Sequence, residues 1–254
     1  MAMQKYKLQV KANQAQIENR KNLIRLFHNT PLPDEHLMVN FGLYQRSSTA
    51  AKLLYLNELY EIIKPIPGVI MEFGSWYGQT LVQFMNLRAI HEPYNYTRRV
   101  IGFDTYTGYR GISAKDGADK LVKKGQYSVP QKYIAYLSEL LDYHDHENSM
   151  PHIQKYELVP GDASVTIKKY LKKHPETIIA LAYFDMQLYR PTKACLTAIL
   201  PHLIQGSCIA MDEINAVEFP GETIALQETL GLNKYPVYRS KFLPDRSYMV
   251  VTYV

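Results

Sequence analysis

Cysteine is scarce in this chain of 254 residues: there are two, Cys195 and Cys208, both in apolar surroundings and without CxxC spacing. That excludes a disulfide framework and a thiolate zinc site, and it predicts two buried thiols in a reducing compartment. Long apolar runs are missing too, since no stretch approaches the roughly 18 residues that a membrane helix needs. The start, MAMQKYKLQVKANQ, has no apolar segment behind its lysines to act as an export signal. The expectation is a soluble, cytoplasmic protein with no membrane partner. No internal repeat is present, and 13 Gly and 14 Pro are too few for low complexity.

Basic clusters are absent as well. The formal charge is +5, but the cations come as scattered pairs: Arg98-Arg99, Lys123-Lys124, Lys168-Lys169 and Lys172-Lys173. The last two pairs lie in SVTIKKYLKKH, where Val165, Ile167, Tyr170 and Leu171 form the apolar side of a short helix, so these lysines read as a solvated face. No nucleic-acid partner is expected, because the basic pairs are not interleaved with aromatics.

What is present is a hydrophobic content of 46%, enough for one sizeable core. Residues 1–30 are polar, with Ile17, Leu23, Ile24 and Phe27 at helical spacing, and end at TPLPDE. Ser47 to Lys64 forms a second helical segment that stops at KPIPG. Residues 1–64 are therefore expected to form an N-terminal helical arm. Residues 1–30 have too few apolar residues for a core of their own and are expected to lie on another subunit or over the active site, which predicts a homo-oligomer.

Beyond Gly68, short apolar runs alternate with helical patterns: VIMEF, RRVIGFD, YELVPGD, TIIALAYFD and SCIAMD read as strands. Runs apolar at every position belong to strands covered on both faces, so the class is α/β with a doubly wound parallel sheet. The tail, PVYRSKF, then LPDR, then SYMVVTYV, reads as an antiparallel hairpin. About fifty residues separate Asp104 from the third strand, where a crossover needs only a dozen or so. Residues 105–152 are thus an insert of lid-like composition with one helix, Gln131 to Asp142, and with Tyr106, Tyr109, Tyr127, Tyr133 and Tyr136 available to line an acceptor pocket.

In VIMEFGSWYGQTL a buried strand ends on Glu72 and passes through Gly74 and Gly78 into a helix, where the backbone can approach a ligand. The fingerprint GxGxxG is absent, which argues against nicotinamide and flavin enzymes. Asp104 closes the next strand, where it can accept the hydroxyls of a ribose. Asp162, in GDA, closes the third, where it can cap a helix or bind an adenine amino group. Asp185 closes the fourth strand and Asp212-Glu213 the fifth. Three acids on one edge cannot all stay ionised unaided, so a divalent cation such as magnesium, manganese or calcium is the natural counterion.

This order of strand-end residues resembles the class I S-adenosylmethionine-dependent methyltransferases over residues 65–254. The string FDMQLYRPTKACL…LPHLIQGSCIAMDE resembles the macrocin O-methyltransferase family, which uses an arrangement also found in catechol O-methyltransferase. NLRAIHEPYNYTRRVIGFDTYTGY is similar to O-methyltransferases acting on a nucleotide-linked rhamnose. The resemblance implies a seven-stranded Rossmann-like sheet whose last strand is antiparallel. It implies that S-adenosylmethionine is bound by Glu72, Gly74, Ser75 and Gly78 at the methionine end, by Asp104 with Thr105 at the ribose, and by Asp162 with Ala163 at the adenine. It implies magnesium ligation by Asp185, Asp212 and Glu213, with Asp185 at the reacting hydroxyl of a sugar, a nucleotide sugar or, alternatively, a catechol or phenol. The family's second acid is Gln187 here, and Glu213 replaces an Asp. Gln187 can hydrogen-bond a sugar but cannot act as a base, which leaves His144 and His146 of the insert as further candidates for that role.

Overall fold

Strands apolar at every position are stable here because helices cover both of their faces. The computed structural model describes residues 12–252. In chain order the elements are α1 (Gln14–His28), α2 (Asp34–Val39), α3 (Ser47–Ile63), β1 (Val69–Phe73), α4 (Gln79–His91), β2 (Val100–Asp104), α5 (Tyr133–Glu147), β3 (Tyr156–Pro160), α6 (Ala163–Lys173), β4 (Ile179–Phe184), α7 (Tyr189–Ile199), β5 (Leu203–Met211), α8 (Gly221–Thr229), β6 (Val237–Arg239) and β7 (Ser247–Val250). They form one seven-stranded sheet in the order β3-β2-β1-β4-β5-β7-β6. The first five strands are parallel, and β7 runs antiparallel to both of its neighbours. This is the expected doubly wound fold with its antiparallel last strand. The expected arm and hairpin extend past the described residues at 1–11 and 253–254.

Register sets up the functional edge. Phe73 pairs with Phe103 on β2 and with Phe184 on β4, and Phe184 pairs with Met211 on β5. The ladder continues one residue further, with Gly74 N donating to Phe103 O (2.9 Å), Asp185 N to Phe73 O (2.8 Å) and Asp212 N to Phe184 O (2.9 Å). The first residue past each strand therefore emerges at one level. Beneath that level the rings of Phe73, Phe103 and Phe184 stack at 5.1 and 4.7 Å, an apolar floor for whatever lies above.

One face of the sheet packs on α6, α7 and α8 through Ile167, Leu196 and Leu226, and the other on α3, α4 and α5 through Leu56, Phe84 and Leu141. Val165 is exposed, while Lys168, Lys169, Lys172 and Lys173 form the expected solvated face of α6. Both cysteines are free and fully buried, and burial raises their thiol pKa.

Two expected boundaries shift. The helix α3, placed with the arm, buries Tyr55, Leu56, Leu59, Tyr60 and Ile63 against the sheet, so it is a layer of the main domain. The arm reduces to the segment before it, where α1 buries no residue. Likewise α5 is no part of a lid: Leu137 and Leu141 are fully buried, and it serves as the crossover helix between β2 and β3. The insert that stands over the sheet edge is the stretch between β2 and α5, joined to itself by a bridge from Thr107 to Ser128.

Candidate active site

A cleft of about 1380 Å³ opens above the carboxyl ends of the parallel strands. Its floor is the glycine loop after β1. Gly74 has φ +97°, and a Cβ there would lie 2.1 Å from the carbonyl oxygen of Asp185, so only glycine lets the two strand ends approach. Asp104 holds this loop: Oδ2 accepts from Trp76 N (2.8 Å) and Oδ1 from Tyr106 N (2.6 Å). Burial raises the Asp104 pKa, and those amides oppose the rise. Glu72 is buried with Oε2 lacking any hydrogen-bond partner. Burial pushes its pKa up to about 8, with Lys52 pulling the other way.

The expected cofactor residues divide according to their partners. Glu72, Gly74, Ser75, Asp104, Thr105, Asp162 and Ala163 all line the cleft. Gly78 does not; it caps α4 in a left-handed conformation beneath the loop. Asp162 is exposed and caps α6, accepting from Ser164 N (2.9 Å) and Ser164 Oγ (2.6 Å), the capping role that its sequence position also allowed. The unpartnered Glu72 oxygen is an acceptor suited to an ammonium, and the Asp104 carboxylate faces the same space. These residues fit the amino-acid and ribose parts of S-adenosylmethionine.

At the other end, Asp185, Asp212 and Glu213 line the same cleft. Burial raises Asp185 and Glu213 to about 7, and Asp212 adds repulsion to both. Asp212 accepts from Tyr183 Oη (2.9 Å) and is ion-paired with Arg246, whose Nη1 also donates to the Asp212 carbonyl (2.9 Å). Lys52 of α3 lies 3.8 Å from Asp185. In type the three acids suit a hard, oxygen-seeking cation. Among the described residues, however, no three His, Cys, Asp or Glu side chains come together as a metal-binding group; Arg246 and Lys52 stand beside Asp212 and Asp185 instead.

His144 and His146 are absent from the cleft lining. The expected loop around them is helical, since α5 runs on to Glu147, and His146 Nδ1 lies 2.7 Å from the carbonyl of Asp142 on its own helix. Of the five tyrosines expected in the pocket, Tyr109 and Tyr127 line it. Tyr106 is buried, Tyr133 donates to Tyr77 O (3.0 Å) and Tyr136 is exposed.

Three residues that hold the site together carry no sequence motif. Glu222, fully buried on α8, accepts from Met186 N (2.9 Å), Gln187 N (2.7 Å) and Glu213 N (3.2 Å), tying the ends of β4 and β5 to one carboxylate. Asp116 of the insert, also fully buried, accepts from Tyr189 N and from Ser113 N and Oγ. Gly221 fits between them, as a Cβ would meet Asp116 Oδ1 at 2.6 Å and Gln187 O at 2.7 Å. Trp76, Tyr127, Gln187 and Asn215, all on the cleft, adopt positive φ, a strain that such surrounding contacts must sustain.

No family profile and no curated protein sequence matches the chain. Solved structures do. The crystal structure of CalS11, the calicheamicin methyltransferase, is 40% identical, with 95% of this chain and 94% of that chain covered and a TM-score of 0.92. An apo structure of CalS11, described as a TDP-rhamnose 3'-O-methyltransferase, is 39% identical over 95% and 96% of the two chains, with a TM-score of 0.84. The O-methyltransferase NovP shares the fold, at 15% identity, 80% coverage of each chain and a TM-score of 0.60.

Proposed function

As the chain belongs to the family of S-adenosylmethionine-dependent O-methyltransferases that contains CalS11, we propose that it methylates a hydroxyl of a deoxysugar carried on a nucleotide, with a divalent cation at Asp185, Asp212 and Glu213. The observation that carries this reading is the single edge on which Glu72, Asp104, Asp185 and Asp212 emerge into one cleft.

S-adenosylmethionine would supply an electrophilic methyl sulfonium, and a divalent cation held by Asp185, Asp212 and Glu213 would supply positive charge for the acceptor oxygen. The chain's residues do the rest. Glu72 and the Gly74–Ser75 turn receive the methionine end, Asp104 the ribose, and Asp162 with Ala163 the adenine end. Asp185, at the end of β4 and on the cleft wall, is the carboxylate that takes the acceptor's proton. Gln187, which cannot, lines the cleft beside Tyr127 and can hydrogen-bond the sugar. Tyr183 and Arg246 orient Asp212, and Glu222 fixes both strand-end loops relative to each other. Such positioning of nucleophile and methyl group in line is worth several kcal/mol of barrier.

The assay is mass spectrometry of the purified protein with S-adenosylmethionine and a TDP-linked rhamnose, with catechol as a second acceptor. The sugar should gain one methyl group, excess chelator should stop the reaction and magnesium should restore it. Methylation of catechol alone would favour the phenol reading, and full turnover in chelator would remove the cation from the mechanism.

The arm is proposed to meet a second copy of the chain. Met38, Val39, Phe41 and Leu43 are 73%, 86%, 53% and 67% exposed, an apolar cluster that water disfavours. Light scattering at micromolar concentration should give a multiple of 29.3 kDa; a clean monomer contradicts it.

A further inference from the structure

Four cations line the cleft: Lys52, Arg110, Arg190 and Arg246. Lys52 faces Asp185 and Arg246 pairs with Asp212 and Asp245, so both are neutralised by acids of the site. Among the described residues, Arg110 and Arg190 have no acid partner; both are exposed. A guanidinium on a cleft wall without a carboxylate is placed to meet an anion that arrives with the ligand.

The two arginines stand on walls that are fixed to each other. Arg110 follows Tyr109, which is buried and whose N donates to Gln126 O (2.9 Å). Arg190 lies in the first turn of α7, preceded by Leu188, which provides no side-chain cap. Asp116 of the insert accepts from the Tyr189 amide at the start of that helix. Lys115 beside it reaches Tyr189 Oη (3.2 Å) and pairs with Glu228 of α8, which also holds Lys193 (2.7 Å). The insert and α7 thus form a single rim, and its free charges are both positive.

Resting on the sugar-methylating reading of the cleft, we propose that Arg110 and Arg190 form the subsite for the diphosphate of a nucleotide-linked sugar. The sugar hydroxyl must reach the acids at the ends of β4 and β5, where Lys52 and Arg246 are already engaged by those acids and leave no free cation for the diphosphate. The diphosphate therefore sits at the arginine rim with the sugar directed inward. Guanidiniums bind phosphate oxygens through charge-assisted hydrogen bonds that a neutral glycoside cannot return.

The chain's single tryptophan, Trp76, lines the cleft and reports occupancy by fluorescence. The protein saturated with S-adenosylhomocysteine is titrated with thymidine 5'-diphosphate, thymidine and inorganic pyrophosphate. The native protein should bind the diphosphate at least about tenfold more tightly than thymidine. Arg110→Gln and Arg190→Gln should each weaken it by about tenfold, as expected for loss of one charge-assisted contact, with thymidine affinity unchanged. Equal binding of thymidine and its diphosphate by the native protein overturns the proposal, as does a preference that survives in the double variant. Pyrophosphate binding as tightly as the nucleotide would assign the arginines to a free phosphate and overturn the nucleotide source. Failure to bind S-adenosylhomocysteine would refute the methyltransferase reading alone, since the diphosphate preference is read equally well without it.

Discussion

The two halves of the cleft are built differently. The half proposed for the cofactor, at the ends of β1, β2 and β3, is held by residues that end those strands or follow them within three positions: Gly74, Asp104 with the amides of Trp76 and Tyr106, and Asp162 with its own helix. The acceptor half, at the ends of β4 and β5, is held from a distance. Asp116 reaches Tyr189 across 73 residues, and Glu222 reaches Met186 across 36. On the proposed reading the cofactor would meet residues of the strand ends themselves, and the acceptor a wall buttressed from outside the strands by Asp116 and Glu222.

The largest expected separation of the halves is chemical. Asp212→Asn should lower kcat by about 10²–10³, the usual cost of losing an electrostatic group at the reacting centre. S-adenosylhomocysteine affinity should be retained. Steady-state kinetics beside a binding titration check this, and equal loss of both would merge the halves.

The next effect is on stability. Asp116→Ala leaves the partly buried Tyr189 and Ser113 amides without an acceptor and should cost about 1–3 kcal/mol in urea unfolding. Turnover should fall with it while cofactor affinity stays. An unchanged urea midpoint would mean that the insert is not held by this acid.

These buttresses also mark what could be read from the chain and what could not. The strands β1, β2, β4 and β5 with Glu72, Asp104, Asp185 and Asp212 are legible because burial forces an apolar run that an acid punctuates, whereas the edge strand β3 is only partly buried and is marked by the Gly161-Asp162 turn that follows it. Asp116 and Glu222 lie in stretches whose local pattern is only that of a loop and a short amphipathic helix. Their importance comes from amides far away in sequence, which no local spacing encodes. Lys52 was hidden for the same reason, since α3 reads as part of an arm until its packing places the lysine beside Asp185. The helix α8 had a usable signal, Gly221-Glu222 opening the run TIALQ soon after the paired acids. His144 and His146 misdirected because a polar His-rich string resembles a loop, whereas the periodicity of Leu137 and Leu141 carries α5 through them.

A third effect is a pH dependence in the half proposed for the cofactor. The Glu72 carboxyl is raised from 4.5 to about 8 by burial. The folded state therefore holds this proton more tightly than the unfolded chain does. The resulting stabilisation is complete below about 4.5 and is lost as the pH rises through about 8. Scanning calorimetry of the ligand-free protein should show Tm declining over that window, and Glu72→Gln should flatten the decline. A Tm profile identical to that of the native protein would show that Glu72 is not desolvated.

The division of the cleft is tested most directly by titrating S-adenosylhomocysteine into Asp104→Ala and Asp185→Asn, each compared with the native protein by calorimetry. Asp104→Ala should bind about 1.5–3 kcal/mol more weakly, the range for a lost charge-assisted hydrogen bond. Asp185→Asn should bind as the native protein does, yet transfer no methyl group. Native affinity in Asp104→Ala, or an equal loss of affinity in Asp185→Asn, would contradict the account.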